Sequence, residues 1–269
     1  MFYVSEKFKL HRFILNCIKT NQIPNAWLFH GPAGIGKASL ALNVAKALSS
    51  VGNLKNESLS HISEKDIRDP YVSTRSNNIF FCKRKWDDKK KLFQKNISID
   101  DIRELGRKFY LSSADYSYKV CIVDTTEDLN KSASNSLLKM LEEPPKNTIF
   151  LLISHQPNLL LPTLQSRSQK LFFSALGQND LRAVLTTIDW EIDPAEEVSL
   201  SILSNGSAGV ACRLLNSNSL NLYRDILNLA SSLPNLNTKK AMQLSHAYFP
   251  KGKAAEFENF IEMMQQFFS

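Results

Sequence analysis

The sequence predicts an α/β fold, with a five-stranded parallel sheet flanked by helices and a smaller all-helical region after it. A short apolar run, a glycine-rich loop and an amphipathic helix follow one another over residues 26–48. Short apolar segments then alternate with segments of helical periodicity as far as residue 173, which is typical of parallel βαβ units. After Ser174 only helical spacing remains, so we expect the sheet domain to end near that residue.

Five apolar segments are the predicted strands, and the third and fourth are continuously apolar, as central strands covered on both faces are. The five segments are residues 26–29, 78–81, 119–123, 148–153 and 170–173. The helices predicted around them are residues 8–20, 37–48, 99–110 and 132–142. Ser98 is a predicted N-cap, and the polar stretch 49–77 is a predicted surface connection. The later predicted helices are residues 180–185, 194–203, 209–215, 220–232, 238–248 and 253–268.

Composition narrows the class of protein. The chain has 269 residues, of which 43% are hydrophobic, enough to fill the core of one large domain or two smaller ones. No apolar run approaches the ~18 residues that a membrane helix needs, and the N-terminus lacks a signal-peptide pattern, so we expect a cytoplasmic protein without a membrane partner. Four scattered cysteines without a C-x-x-C pair disfavour structural zinc and a disulfide framework. Cys121, inside an apolar run, is a predicted core residue.

The net formal charge is +7, and the densest basic stretch runs over residues 83–95, with Trp86 and Phe93 among the lysines. Basic and aromatic residues together can follow a phosphate backbone and stack on bases. A solvated hairpin is the simpler interpretation, because charge runs are usually solvated, and we favour it. Nucleic-acid binding is the alternative, and it predicts salt-dependent binding by the isolated chain.

Residues 31–37 match the pattern Gly-x4-Gly-Lys of a phosphate-binding loop. Gly31, Gly34 and Gly36 allow backbone N–H groups to turn inward around phosphate oxygens, and the following helix adds partial positive charge. Lys37 is placed to reach the outer phosphates. We expect these four residues to form a nucleotide-binding site.

Two parts of a working site differ from the pattern. Ala38 stands where a Ser or Thr places its hydroxyl on Mg²⁺. Ser39 is a further candidate binding residue, but it lies about 100° round the helix and is not expected to replace that ligand directly. Asp124 ends the third strand, where a Mg²⁺-orienting Walker B aspartate would lie, yet Thr125 follows it instead of a glutamate. The predicted site is degenerate, with weak ATP or ADP binding and no required cofactor.

Two polar residues near the predicted site have open roles. Glu127 could be recruited as the missing base, but a surface position or a place at a helix N-terminus is favoured. His155 follows the fourth strand, where a polar group could sense a γ-phosphate, and a structural histidine is the simpler interpretation.

Three segments closely resemble the clamp-loader proteins of bacterial DNA polymerase III, an AAA+ family. They are residues 124–129 (DTTEDL), 136–145 (SLLKMLEEPP) and 166–168 (SRS). The resemblance extends over nearly the whole chain and is strongest over residues 27–173. It implies an AAA+ P-loop domain at 1–173, a helical lid at 174–218 and the start of a helical collar at 219–269, which looks short beside its relatives.

Within that family the chain resembles the rigid delta-prime subunits more than the ATP-hydrolysing gamma/tau subunits. Ala38 and Thr125 replace two catalytic residues, and Gly209 stands where active members carry a lid arginine. The resemblance implies a non-hydrolysing subunit that helps load the sliding clamp onto primed DNA. The implied partners are the delta and gamma/tau subunits, and indirectly the clamp and primer–template DNA. The alternative is an autonomous P-loop ATPase or a gamma/tau-type subunit.

The resemblance also assigns two features by position. Arg167 matches the arginine of the family's usual Ser-Arg-Cys triplet, which implies an arginine finger acting in trans on a neighbour's ATP. The alternative is a surface arginine paired with a nearby acid. Many relatives hold a four-cysteine zinc module in the region matching residues 50–75, and this stretch has no cysteine, so we predict no zinc.

Overall fold

The structure is a computed structural model, and it divides the chain into two compact units, residues 1–175 and 176–269. The described residues are 22–49, 78–111, 118–186, 194–216 and 219–231, with isolated positions between 13 and 20 and between 238 and 243. The predicted surface connection at 49–77 and the last predicted helix at 253–268 lie almost wholly outside them. The predicted limits of a lid and a collar stay predictions. No helix among the described residues is long and apolar enough to cross a membrane.

The first unit alternates strands and helices. In chain order its elements are β1 (Ala26–His30), α1 (Lys37–Ser49), β2 (Ile79–Cys82), β3 (Trp86–Asp87), β4 (Leu92–Phe93), α2 (Ile99–Leu111), β5 (Lys119–Asp124), α3 (Lys131–Glu142), β6 (Thr148–Ser154), α4 (Pro162–Ser166) and β7 (Gln169–Phe172). Short 3-10 helices cover Thr126–Asp128 and Pro157–Leu159. The four described positions between 13 and 17 are helical, inside the helix predicted at 8–20.

The main sheet has five parallel strands in the order β2-β5-β6-β1-β7, which confirms the predicted fold class. Every residue of β6 is buried, as its unbroken apolar sequence predicts for a central strand. β1 lies between β6 and β7, with Leu28 opposite both Leu152 and Lys170. Because all five strands run the same way, their carboxyl ends meet at one edge of the sheet.

Each face of the sheet has its own hydrophobic layer, because side chains alternate along a strand. Trp27 and Phe29 of β1 join the layer under α1, whereas Leu28 joins the layer under α2 and α3. In the second layer Phe109 contacts Phe150 edge-on, with ring centroids 5.9 Å apart. Apolar burial on both faces, worth about 25 cal/mol per Å², fixes the helices that flank the sheet.

Local polar contacts set where the helices begin. Ser98 Oγ accepts the N–H of Asp101 at 3.3 Å, and Asp101 Oδ2 accepts the N–H of Ser98 at 2.9 Å, a reciprocal capping arrangement. The side chain of Asn130 accepts the N–H of Ala133 at 2.8 Å, so α3 begins one residue before the predicted start at 132. Asn130 is a cap that the sequence prediction missed.

The second unit is helical in its described part, as predicted. Its elements are α5 (Gln178–Thr186), α6 (Pro194–Ser204), α7 (Ala208–Asn216) and α8 (Ser219–Ala230). Asn205 and Gly206 have positive φ angles of 45° and 71° in the turn between α6 and α7. The carbonyl of Gly206 accepts the N–H of Leu176 at 2.9 Å, which ties that turn to the start of the unit.

Among the glycines that the structure describes, Gly31 makes the closest approach to another part of the backbone. Its φ is 144°, and a Cβ there would lie 2.1 Å from the carbonyl oxygen of Phe173. We predict that Gly31→Ala destabilises the chain by at least about 2 kcal/mol, because a strained conformation and a backbone overlap add. Urea unfolding of wild type and variant measures this difference.

Gly106 provides the matched control. It lies within α2, and an added Cβ would meet Met140 Cε at 3.8 Å, an ordinary contact. Gly106→Ala is expected to stabilise the chain by about 0.5–1 kcal/mol, as alanine does in a helix interior. Equal effects of the two substitutions would contradict the close approach at Gly31.

Candidate functional site

The candidate site lies at the carboxyl edge of the sheet, where β1 passes through residues 31–36 into α1. Gly31, Gly34 and Gly36 have φ angles of 144°, 73° and 91°, in the region that favours glycine. The three glycines of the sequence motif are therefore the positions at which the backbone turns. The loop delivers the N-terminus of α1 to the sheet edge, as an anion-binding loop requires.

Lys37 is held inside its own loop. The side chain is 2% exposed, and its Nζ donates hydrogen bonds to the carbonyl of Gly31 at 2.6 Å and to that of Pro32. Two carbonyl oxygens thus stabilise the buried ammonium group in this conformation. A phosphate bound in the loop would compete with them for the same charge.

The two positions after Lys37 do not place a hydroxyl in the open loop. Ala38 is half-buried and packs against the hydrophobic layer under α1. Ser39 is itself buried in that helix, with 7% of its surface exposed. The missing Mg²⁺ ligand at Ala38 therefore has no exposed replacement in the next residue, and a role for Ser39 in nucleotide binding stays a prediction.

Asp124 ends β5, next to Ile153 of β6, where the sequence placed a Walker B residue. The Thr125 hydroxyl donates to Asp128 Oδ2 at 2.9 Å. The Thr126 hydroxyl donates to the Ile153 carbonyl at 3.0 Å. Both threonines therefore fix the turn after the strand, and neither supplies a carboxylate to orient water.

Glu127 lies in the first turn of the 3-10 helix Thr126–Asp128, one of the two positions favoured for it, and not on the open surface. It is half-buried, and its Oε1 accepts the backbone N–H of His155 at 2.7 Å, which joins the turn after β5 to the end of β6. Its Oε2 is buried without a hydrogen-bond partner among the described residues. The 3-10 turn directs the side chain back across the sheet edge, which the sequence alone does not reveal.

The charge of the loop lysine, Lys37, acts on His155 together with three nearby carboxylates. Burial and then the positive charge of Lys37 lower the pKa of His155, against the opposing effect of the carboxylates of Glu127, Asp124 and Asp128. Its Nδ1 is buried and unpartnered within the described part of the chain. The structure thus gathers a lysine, three carboxylates and a neutral imidazole at this edge.

His30, at the end of β1, is a second histidine near the loop. Burial, followed by the charges of Lys170 and Lys37, lowers the pKa of His30. Its ring packs against Phe172 with the centroids 5.4 Å apart. Two histidines with lowered pKa, one ending β1 and one directly after β6, therefore lie within electrostatic reach of the loop lysine.

Arg167 has its described contacts outside this cluster. It is the C-cap residue of α4, and its Nη2 lies 2.7 Å from Glu142 Oε1 at the end of α3. Its Nη1 donates to the carbonyl of Thr163 at 3.3 Å. The arginine thus has the nearby acid that the alternative interpretation required, while its side chain remains 38% exposed. The ion pair links the SLLKMLEEPP and SRS segments, which the sequence did not indicate.

The cysteines are free thiols. Burial, followed by the nearby Asp101 carboxylate, raises the pKa of Cys82 to about 12. Cys121 is fully buried in β5, as predicted. In the part of the chain that the structure describes, no three His, Cys, Asp or Glu side chains are placed to hold a metal ion. The predicted lack of zinc concerns residues 50–75, which lie outside that part.

The fold and the loop define an AAA+ protein of the P-loop class. The structure of RuvB from Thermotoga maritima superimposes with a TM-score of 0.50 at 18% identity, covering 89% of this chain and 67% of that one, a likeness of fold alone. The family described as DNA polymerase III, delta subunit, matches residues 7–177. The chain therefore belongs to that family of clamp-loader subunits.

Named relatives agree with the family. The delta' subunit of DNA polymerase III from Pseudomonas aeruginosa is 30% identical over 207 residues, covering 72% of this chain and 56% of the relative. The tau subunit from Bacillus subtilis is 28% identical over 209 residues, covering 72% of this chain and 32% of the relative. The chain thus spans about half the length of the delta' relative and about a third of the length of the tau relative.

Histidine burial makes stability depend on pH. In the unfolded chain His155 binds a proton near its ordinary pKa of 6.5, whereas in the folded chain its pKa is lower. The free energy of unfolding is therefore expected to be highest above pH 6.5 and to fall as the pH drops through 6.5 toward the lowered pKa. We predict that His155→Asn makes this fall shallower, as measured by urea unfolding between neutral and mildly acidic pH.

His30→Asn is the companion variant, because the pKa of His30 is lowered for the same main reason, burial. The double variant should show the weakest pH dependence of the set. If wild type and the double variant lose the same stability on acidification, then the two histidines are not the groups that the folded chain keeps neutral.

Proposed function

We propose that the chain is a non-hydrolysing, delta-prime-type subunit of the DNA polymerase III clamp loader. It acts in the cytoplasm with delta and gamma/tau subunits to load the sliding clamp onto primed DNA. The observation that carries the proposal is a loop with the backbone shape of a phosphate-binding loop. In the same site, Ala38 stands in place of the residue that binds Mg²⁺, and Thr125 in place of the residue that orients water. The delta' names among the relatives support it. In this proposal residues 174–218 form a lid and 219–269 begin a collar.

The loop itself is proposed to keep only weak affinity for ATP or ADP. Its glycines and the N-terminus of α1 fit a phosphate, but Lys37 already has two carbonyl partners in the loop. Hydrolysis needs a metal ligand, a water-orienting group and an arginine together. No cofactor is required for the proposed role, in which the loop serves as a structural element.

The alternative, an autonomous or gamma/tau-type ATPase, has one observation in its favour. The carboxylate of Glu127 lies beside His155, and its Oε2 is unpartnered among the described residues. However, Oε1 is engaged with the N–H of His155, and nothing replaces the hydroxyl missing at Ala38. The non-hydrolysing proposal therefore explains more of the site.

Arg167 is proposed to act on ATP bound by a neighbouring subunit. A guanidinium is always charged and planar, and it can donate two hydrogen bonds to phosphate oxygens. Its present partner, Glu142, is 46% exposed, and a pair so open to solvent contributes only about 0–1 kcal/mol. Exchanging the carboxylate for a neighbour's phosphate is therefore inexpensive in free energy.

We predict that Arg167→Ala leaves the chain folded and able to assemble, but lowers hydrolysis at the one adjacent ATP site by on the order of 10³-fold. The reason is the loss of charge stabilisation in the transition state. The measurement is DNA- and clamp-stimulated ATP turnover by a reconstituted loader whose other active sites have been inactivated.

Two further variants separate a finger from a structural arginine. Arg167→Lys keeps the charge but not the planar fork, so turnover should stay low. Glu142→Gln removes the ion pair and leaves the guanidinium in place, so turnover at that site should be kept. Wild-type turnover with Arg167→Ala, or an equal loss with Glu142→Gln, would make Arg167 a structural residue.

A further inference from the structure

The hairpin of β3 and β4 carries two aromatic rings on its surface. Trp86 and Phe93 are directly opposite each other across the strands, with ring centroids 5.0 Å apart at 78°. Trp86 is 48% exposed, Phe93 is 54% exposed, and the neighbouring Leu92 is 50% exposed. A tryptophan and a phenylalanine so open to water are unusual, because each loses the free energy of burial that it could contribute elsewhere.

The segment that contains this hairpin, residues 83–95, holds most of the chain's excess charge. Residues 83–95 contain seven basic and two acidic side chains, a net formal charge of +5 out of +7 for the whole chain. Lys89, Lys90 and Lys91, at the turn, are all exposed. The surface is therefore aromatic and strongly positive at once.

Ion pairs and a capped turn hold the hairpin in place. At its base, Lys85 Nζ lies 2.6 Å from Asp101 Oδ1, and Arg84 Nε lies 3.0 Å from Asp128 Oδ2. At the turn, Asp87 Oδ1 accepts two backbone N–H groups, at 3.0 and 3.2 Å. The ion pairs at the base of the hairpin neutralise charge beside the sheet domain. The lysines of the turn are exposed, with Lys90 Nζ 3.9 Å from Asp87 Oδ2.

A purely stabilising role for the ring pair is the simpler explanation. A two-stranded hairpin is marginally stable, and a cross-strand aromatic pair contributes roughly 0.2–1 kcal/mol to it. That role does not account for the three consecutive lysines at the turn, whose like charges repel one another. A partner that is anionic and also has flat apolar faces would explain both features, since its charge would meet the lysines and its faces would meet the rings of Trp86 and Phe93.

We propose that this hairpin binds single-stranded DNA, with a base stacked on the ring pair of Trp86 and Phe93 and with the lysines of residues 89–91 against the phosphates. Unpaired bases present the faces that exposed rings need, whereas bases inside a duplex are already stacked. A protein partner fits less well, because three exposed apolar side chains fall far short of the roughly 800 Å² per partner of a stable interface. This binding is independent of the phosphate loop and of Arg167.

The test is fluorescence anisotropy of a labelled oligothymidylate of about 15 nucleotides, a length that one such site can cover, titrated with the full chain. We expect binding that weakens about tenfold or more between roughly 50 and 200 mM salt, because counterions are released. Trp86→Leu should weaken binding about tenfold, and Trp86→Tyr should largely restore it, because a ring can still stack. Lys89→Gln/Lys90→Gln should weaken binding and flatten the salt dependence.

Matched controls lie elsewhere on the same unit. Phe172→Leu removes another exposed aromatic ring, 59% exposed, and Lys146→Gln/Lys170→Gln removes two other exposed charges. These controls should change affinity less than twofold, and unchanged thermal unfolding shows that the hairpin variants fold. The proposal is overturned if the chain does not bind at low salt, or if hairpin and control variants bind equally. It is also overturned if the hairpin variants weaken only association with a partner subunit, which would make the hairpin a protein-docking surface.

Discussion

The close approach between β1 and β7 is the constraint on which the site depends. The N–H of Phe173 donates to the carbonyl of His30 at 2.8 Å, and the Phe173 carbonyl occupies the space that a side chain on Gly31 would need. The chain can leave β1 only through a glycine, and the following turn brings Lys37 back against the carbonyl of Gly31. The start of α1, the loop and the buried lysine are thus products of strand packing.

This constraint explains how the loop keeps its form when parts of its chemistry are replaced. Lys37 has carbonyl partners in the loop itself, so its burial is compensated without a phosphate. Ala38 packs against the layer under α1, and the Thr125 hydroxyl donates to Asp128, so both residues take part in the packing of this edge. On the far side of the edge, Glu127 and His155 tie two strand ends together. The hydrogen bond from the N–H of His155 to Glu127 joins the ends of β5 and β6, and Arg167 has its ion pair with Glu142 outside this cluster.

The fold class could be predicted from the sequence because each strand and loop is marked by residues next to one another in the chain. Unbroken apolar runs marked β5 and β6, and the glycine pattern marked the loop after β1. Long-range pairs were not predictable, because they depend on how separate segments meet. Glu127 reaches His155 across 28 positions, and Glu142 reaches Arg167 across 25. The solvated hairpin predicted within residues 83–95 is present, but the pairing of Trp86 with Phe93 across its strands depends on the register of the turn, which the sequence did not show.

The central claim is that the loop has a structural role and does not support ATP hydrolysis. Turnover of ATP by the isolated chain in the presence of Mg²⁺ tests this claim most directly. If the loop has only a structural role, we expect no turnover above background and no difference between wild type and Lys37→Ala. A rate in the ordinary enzyme range of about 1 s⁻¹ or more, abolished by Lys37→Ala, would contradict the claim. In that case the carboxylate of Glu127 would be the first residue to reconsider.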